Sequence, residues 1–150
     1  MVANKSYTEI VNGWLSDLSG ESNDLKLDQY QQCGISDQHG NSCFIYIIEG
    51  SDEFVIYSDI EIIPERQTSE FYEKALSLNM DFKLTRGVII AFDKINRSLT
   101  TFFKHSIDAC DSIAFNNCIS NYFEVTIEIT KIITQQTISK NLEDALPRQP

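Results

Sequence analysis

Several residue types are scarce in this chain, and each scarcity narrows what the protein can do. The 150 residues include two histidines, three prolines and 12 basic residues against 22 acidic ones, for a net charge of -10. Nucleic acids and anionic lipids both attract basic patches, so this balance argues against nucleic acid and against a membrane surface as partners. It favours attraction to basic partners.

Long apolar runs are also missing. No window approaches the roughly 18 consecutive apolar residues of a membrane-spanning helix. Residues 1–20 lack the apolar segment of a signal peptide. We therefore expect the protein to stay in the cytoplasm.

Patterns that carry catalysis or bind metal are missing as well. The four cysteines are Cys33, Cys43, Cys110 and Cys118. They form no C-x-x-C pair, and His39 and His105 lie apart from them, whereas zinc sites use closely spaced ligands. Neither histidine accompanies a nucleophile motif such as G-x-S-x-G. The sequence thus predicts no metal, no cofactor and no enzyme, with the cysteines as small core residues.

Two stretches have the apolar spacing of amphipathic helices. The first covers residues 6–19, where Ser6 and Glu9 form a capping box and Gly20 ends the helix. Its apolar positions are Tyr7, Ile10, Val11, Trp14, Leu15 and Leu18. The second covers residues 68–79 and begins at Thr68. Trp14 has two interpretations: it packs in the core, or it anchors a partner in a groove beside the sheet.

Five stretches are predicted as strands, at residues 25–35, 43–49, 53–63, 87–93 and 98–104. Their short connections favour antiparallel pairing. Residues 125–134 are β-branched and alternate like a strand, but residues 109–139 lack glycine and proline, which favours a long last helix.

The predicted order is α-β-β-β-α-β-β-α, an α+β fold with a twisted antiparallel sheet packed against helices. We expect one domain over residues 1–150, ordered at about 6–140, with a disordered tail at 146–150.

Short motifs occur in a fixed order along these elements. They are Leu25, Leu27 and Asp28 at the start of the first strand, Cys33 and Ile35 at its end, Tyr57 in the third strand and Pro64 directly after it, Leu76, Leu78 and Asn79 at the end of the second helix, Gly87 and Asp93 bounding the fourth strand, and Phe115, Ile119 and Phe123 in the last helix. Over about residues 6–135 this order resembles the class I chaperones of bacterial type III secretion, the Tir-chaperone-like family. Gln31 stands where glycine is common in that family.

The resemblance implies a function in protein binding. A homodimer in the bacterial cytoplasm would bind the N-terminal part of a secreted effector in an extended form, keep it secretion-competent and pass it to the export apparatus, without a cofactor. The resemblance also implies a twofold interface on the fourth strand and second helix. The candidate interface residues are Leu76, Leu78, Val88, Ile90 and Phe92.

Strands 43–49 and 53–63 are apolar on both faces, so one face is expected to pack on helices and the other to meet a partner. The candidate effector-binding residues are Ile10, Trp14, Ile45, Ile47, Val55 and Tyr57. Because the sequence does not tell which face looks inward, the alternative set is Phe44, Tyr46, Phe54 and Ile56. Two other functions stay open: a small-molecule-binding α+β domain, and an enzyme of unrecognised type.

Overall fold

The structure is a computed structural model that describes residues 5–22, 24–60, 65 and 67–145. The helices within this part are α1 (Tyr7–Ser19), α2 (Ser69–Ser77), the one-turn α3 (Phe82–Thr85) and α4 (Ser112–Ala145). The strands are β1 (Gln32–Ser36), β2 (Ser42–Ile47), β3 (Glu53–Ile60), β4 (Ile89–Asp93) and β5 (Ser98–Ser106). Short 3-10 turns cover Gly20–Ser22 and Leu78–Met80.

The strands form one sheet in the order β1-β2-β3-β5-β4 over the described residues. β2 pairs antiparallel with β1 and with β3, and Ile45 lies opposite Cys33 on one side and opposite Ile56 on the other. A sheet of this kind with flanking helices confirms the predicted α+β fold. α3 is the helix that the sequence prediction lacks.

The first strand begins later than the sequence predicts, because a turn intervenes at residues 28–31. The side chain of Asp28 accepts hydrogen bonds from the backbone N–H groups of Tyr30 (2.8 Å) and Gln32 (3.1 Å). Gln31 consequently adopts a left-handed conformation with φ of 61°. Residues 61–63 of the predicted third strand and the tail at 146–150 lie outside the described residues.

Local capping explains where the first two long helices begin. The Ser6 hydroxyl accepts a hydrogen bond from the Glu9 N–H at 3.2 Å, and the Thr68 hydroxyl accepts one from the Phe71 N–H at 3.2 Å. Gly20 has φ of 64°, a conformation that favours glycine after a helix. These observations confirm both predicted starts and the predicted end of α1.

α4 runs through the β-branched stretch and confirms the predicted helix there. The deciding pattern is a spacing of four residues: Val125, Ile129 and Ile133 are all buried. This spacing places the three side chains on one face of a helix, whereas it is weaker evidence for a strand. Burial of that face outweighs the low helix propensity of β-branched residues.

The chain divides into two compact units. The first unit consists of Met1–Ser58 and Phe102–Phe123. Its core contains a ring cluster in which Trp14 of α1 lies 6.2 Å from Phe54 of β3 and 5.2 Å from Phe115 of α4, between ring centroids. Phe54 and Phe115 meet edge to face at 5.4 Å. Each such aromatic pair stabilises the fold by about 1 kcal/mol beyond the contribution of the buried area.

The second unit consists of Asp59–Thr101 and Glu124–Pro150. Its buried apolar side chains come from α2, from β4 and the residue before it, from β5 and from α4. They include Ala75, Val88, Ile90, Leu99, Val125 and Ile129. At its surface the rings of Tyr72 and Phe92 meet edge to face at 5.5 Å.

Candidate protein-binding surface

Three aromatic side chains form a cluster on one face of β2 and β3, which we call the outer face. Phe44 lies opposite Tyr57 in the register, and their rings stack with centroids 5.5 Å apart. Tyr46 meets Tyr57 edge to face at 5.4 Å. The ring of Phe44 also covers Gly34 of β1, where an added Cβ would lie 3.5 Å from the ring. Phe44 is nevertheless 47% exposed.

The opposite, inner face of these strands belongs to the core of the first unit. Cys33, Cys43, Ile45, Phe54 and Ile56 are all buried. The register shows why: Ile45 lies opposite Cys33 and Ile56, and alternate residues of each strand share a face. These side chains are already occupied with core packing.

This register corrects the grouping made from the sequence. Ile45 and Ile47 share the inner face with Phe54 and Ile56, whereas Val55 and Tyr57 alternate onto the outer face with Phe44 and Tyr46. Each of the two candidate sets therefore mixes both faces. The error arises because alternation assigns faces within a strand, but only the register relates one strand to the next.

The two candidates on α1 have different surroundings. Trp14 is buried against Phe54 and Phe115, so the core interpretation holds and a partner reaches it only if the core opens. Ile10 is half-buried and lines a shallow cavity of about 490 Å³ together with Tyr7 and Asp108. The hydroxyl of Tyr7 donates to the Asp108 carboxylate at 2.9 Å.

A second cavity, of about 620 Å³, lies beside the turn at residues 28–31. It is lined by Tyr7 and Thr8 of α1, by residues 29–31 and by residues 47–51, which include Ile47. Gln31 is held there by its side chain, since the Thr8 hydroxyl donates to its Oε1 at 2.5 Å. This turn lies within the strand predicted at residues 25–35, and its Tyr30 is exposed.

The interface residues predicted on the second unit separate into two groups. Val88 and Ile90 are buried and pack within their own unit, so they do not present a surface to a second copy. Leu76 and Phe92 are exposed, and Leu78 is half-buried. Sequence reasoning missed the residues that are exposed beside them. These are Met80, Phe82 and Ile89.

The thiols of β1 and β2, Cys33 and Cys43, are poorly suited to chemistry. Burial, and to a lesser degree the neighbouring Cys33 and Asp37, raises the pKa of Cys43 to about 12. Burial also raises the pKa of Cys33. Both thiols are therefore protonated at neutral pH, and a thiol is a much weaker nucleophile than a thiolate. Among the described residues, no group of three or more metal-binding side chains is placed to hold an ion.

No helix in the described part of the chain is long and apolar enough to cross a membrane. An α+β fold whose sheet exposes stacked aromatic rings has the features of a protein-binding module. The chain belongs to the Tir chaperone protein (CesT) family, whose family model matches residues 15–129. This confirms the family resemblance found in the sequence.

Solved structures share the fold at low sequence identity. The ExsC–ExsE complex contains a chain with 11% identity and a TM-score of 0.72, over 86% of this chain and 97% of that one. The HopA1–SchA chaperone–effector complex contains one with 11% identity and a TM-score of 0.64, over 83% and 93%. The Yersinia pestis type III secretion chaperone SycH, in complex with a fragment of YscM2, has 13% identity and a TM-score of 0.59, over 83% and 99%. No curated protein sequence matches the chain.

Proposed function

We propose that this protein is a cytoplasmic chaperone of bacterial type III secretion that binds the N-terminal segment of a secreted effector. The aromatic cluster on the outer face carries the proposal, because its three rings contact one another, Phe44 is exposed, and Tyr46 and Tyr57 are half-buried. Membership of the Tir chaperone family supports it. Two structural neighbours support it as well: one is a chaperone–effector complex, and the other is a type III secretion chaperone in complex with a fragment of YscM2.

The outer face suits an extended chain better than a compact ligand. An extended segment places alternate side chains about 7 Å apart, the same repeat as alternate residues of one strand such as Phe44 and Tyr46. β1 is the terminal strand of the sheet and offers an edge for strand addition. Held in this way, the effector would stay unfolded until it is passed to the export apparatus.

The protein would act as a homodimer through exposed apolar residues of the second unit. Leu76, Ile89 and Phe92 are the central candidates, since each is an apolar side chain with 40% or more of its surface exposed. Sedimentation equilibrium is expected to show a dimer for the wild type and a monomer for Ile89→Asp. The exposed control Glu73→Ala should stay dimeric. A wild-type monomer at micromolar concentration would remove this part of the proposal.

The effector site is tested by placing the same charge at two positions of one strand. The partner is first identified as the protein that co-purifies with the tagged chain from its source bacterium, and its N-terminal segment is then titrated against purified chain. Phe44→Asp is expected to weaken binding about tenfold or more, because burying a phenylalanine side chain contributes roughly 1.5–3 kcal/mol.

The matched control is Ser42→Asp, which adds the same charge to the same face of β2 at an exposed position. This variant should bind within about twofold of the wild type. Equal losses in the two variants would mean that charge, not the aromatic cluster, decides binding. If both variants bind with wild-type affinity, the effector binds outside the aromatic cluster of the outer face.

A further inference from the structure

Basic residues are concentrated in one stretch of this acidic chain. Residues 82–107 contain five of the 12 basic residues and only one of the 22 acidic ones. The five are Lys83, Arg86, Lys94, Arg97 and Lys104. The hairpin of β4 and β5 is therefore locally positive in a chain whose net charge is -10.

The tip of this hairpin, residues 93–97, is held in a defined conformation. The Asp93 carboxylate accepts hydrogen bonds from the N–H groups of Ile95 (2.9 Å) and Asn96 (3.2 Å), and from the Asn96 side chain (2.8 Å). The Asn96 side chain lowers the pKa of Asp93, so the carboxylate that organises the turn is ionised at neutral pH. Arg97 completes the turn with φ of 53°.

This turn presents an isoleucine between two cations. Ile95 is 92% exposed, and Lys94 and Arg97 beside it are exposed. Neither cation takes part in an ion pair within the part of the chain that the structure describes, whereas Arg86 pairs with Glu124 at 3.3 Å. A lone exposed isoleucine is ordinary. The position of Ile95 is unusual because a defined turn holds it between two cations, in a chain whose net charge is negative.

We propose that the hairpin tip docks on an acidic surface of another protein, with Ile95 entering an apolar recess and Lys94 and Arg97 pairing with carboxylates around it. An apolar anchor surrounded by complementary charges is the usual arrangement of a small, specific contact. The site belongs to the second unit and shares no residue with the outer-face aromatic cluster. An anionic membrane is the weaker partner, because the net charge of the chain is repelled by it.

The probe is a photo-crosslinking amino acid, p-benzoylphenylalanine, placed at position 95 of the full chain in its source bacterium. Mass spectrometry is expected to find crosslinks to a segment of another protein that is rich in Asp and Glu. The charge-reversing changes Lys94→Glu and Arg97→Glu, made together, should reduce the crosslink about tenfold. Lysines placed at the partner's carboxylates should restore it.

The turn between β1 and β2 offers a matched control. Asp37 organises that turn in the same way, accepting hydrogen bonds from the N–H groups of His39 and Asn41 at 2.9 Å. Gln38→Glu and His39→Glu should leave the crosslink unchanged. The tip variants should also keep wild-type affinity for the effector. A negative crosslinking result would therefore leave the proposed effector binding standing, and a loss of effector binding would leave the docking tip standing.

Four results would overturn the inference. Crosslinks only to a second copy would assign the tip to the dimer. Binding of the wild type, but not of the Lys94→Glu and Arg97→Glu variant, to vesicles of phosphatidylglycerol would assign it to a membrane. A protein crosslink that survives charge reversal, or no crosslink at all, would mean that the tip has no acidic partner.

Discussion

The side chain of Asn79 pairs with both backbone groups of Ile90. Its Nδ2 donates to the Ile90 carbonyl at 2.9 Å, and its Oδ1 accepts from the Ile90 N–H at 2.8 Å. β4 is the last strand of the sheet, where unpaired backbone groups invite another chain. Asn79 occupies these groups in the middle of the strand. A dimer at this edge would therefore pack side chains and would not extend the sheet through Ile90.

Replacing Asn79 tests this relationship. Asn79→Ala leaves the Ile90 N–H and carbonyl without their partners and is expected to lower the free energy of unfolding by about 1–3 kcal/mol. Urea denaturation measures the loss, and hydrogen exchange at the Ile90 amide should become faster. The exposed Asn116→Ala in α4 should be neutral or slightly stabilising, since alanine is the better helix former. Equal stability of Asn79→Ala and the wild type would show that water replaces the side chain without cost.

Neighbouring residues of β2 should respond in opposite ways to the same charge. Ile45 is fully buried on the inner face, so Ile45→Asp places an unpaired charge in the core and should unfold the protein. Tyr46 lies half-buried on the outer face, and Tyr46→Asp should keep a cooperative thermal transition while losing effector affinity. Circular dichroism and effector titration check the two outcomes. A folded Ile45→Asp variant, or an unfolded Tyr46→Asp variant, would reverse the assignment of the faces.

The left-handed conformation of Gln31 predicts a preference for glycine at that position. Gln31→Gly and Gln31→Ala both lose the hydrogen bond from Thr8, so their difference isolates the backbone. The glycine variant should be more stable by about 1 kcal/mol, the cost of this conformation for a residue with a Cβ. At the exposed Gln29 the order should reverse, because glycine there only adds freedom to the unfolded chain. Thermal denaturation of the four variants measures both differences.

The buried Cys43 thiol predicts a loss of stability in alkali. Its pKa lies near 12 in the folded chain, against an ordinary value of 9.0, so between these values the folded state binds more protons than the unfolded state. Stability from this group is complete below about pH 9 and falls as the pH rises, by up to about 1.4 kcal/mol per pH unit. The difference in free energy of unfolding between wild type and Cys43→Ala should therefore shrink from pH 9 to 11. A constant difference would mean that the thiol ionises normally in the fold.

Local signals in the sequence were sufficient for the three longer helices, α1, α2 and α4, but not for the one-turn α3. Ser6 and Thr68 form caps with backbone groups three residues away, and the buried stripe of Val125, Ile129 and Ile133 repeats every four residues. These features depend on neighbours along the chain, which is why they were predicted correctly. The start of β1 was missed because the Asp28 turn competes with strand pairing at the same residues.

Sequence by itself determined the α+β class, the family and the two-faced character of β2 and β3, because each of these follows from periodicity, capping and the order of short motifs. Only the tertiary structure decided which face of the sheet is buried, that Trp14 belongs to the core, that Val88 and Ile90 are buried, and that Asn79 pairs with the backbone of β4 at Ile90. The physical reason is common to all four. Each depends on the register or packing of residues that are distant in sequence, and alternation within one strand carries no information about its neighbours.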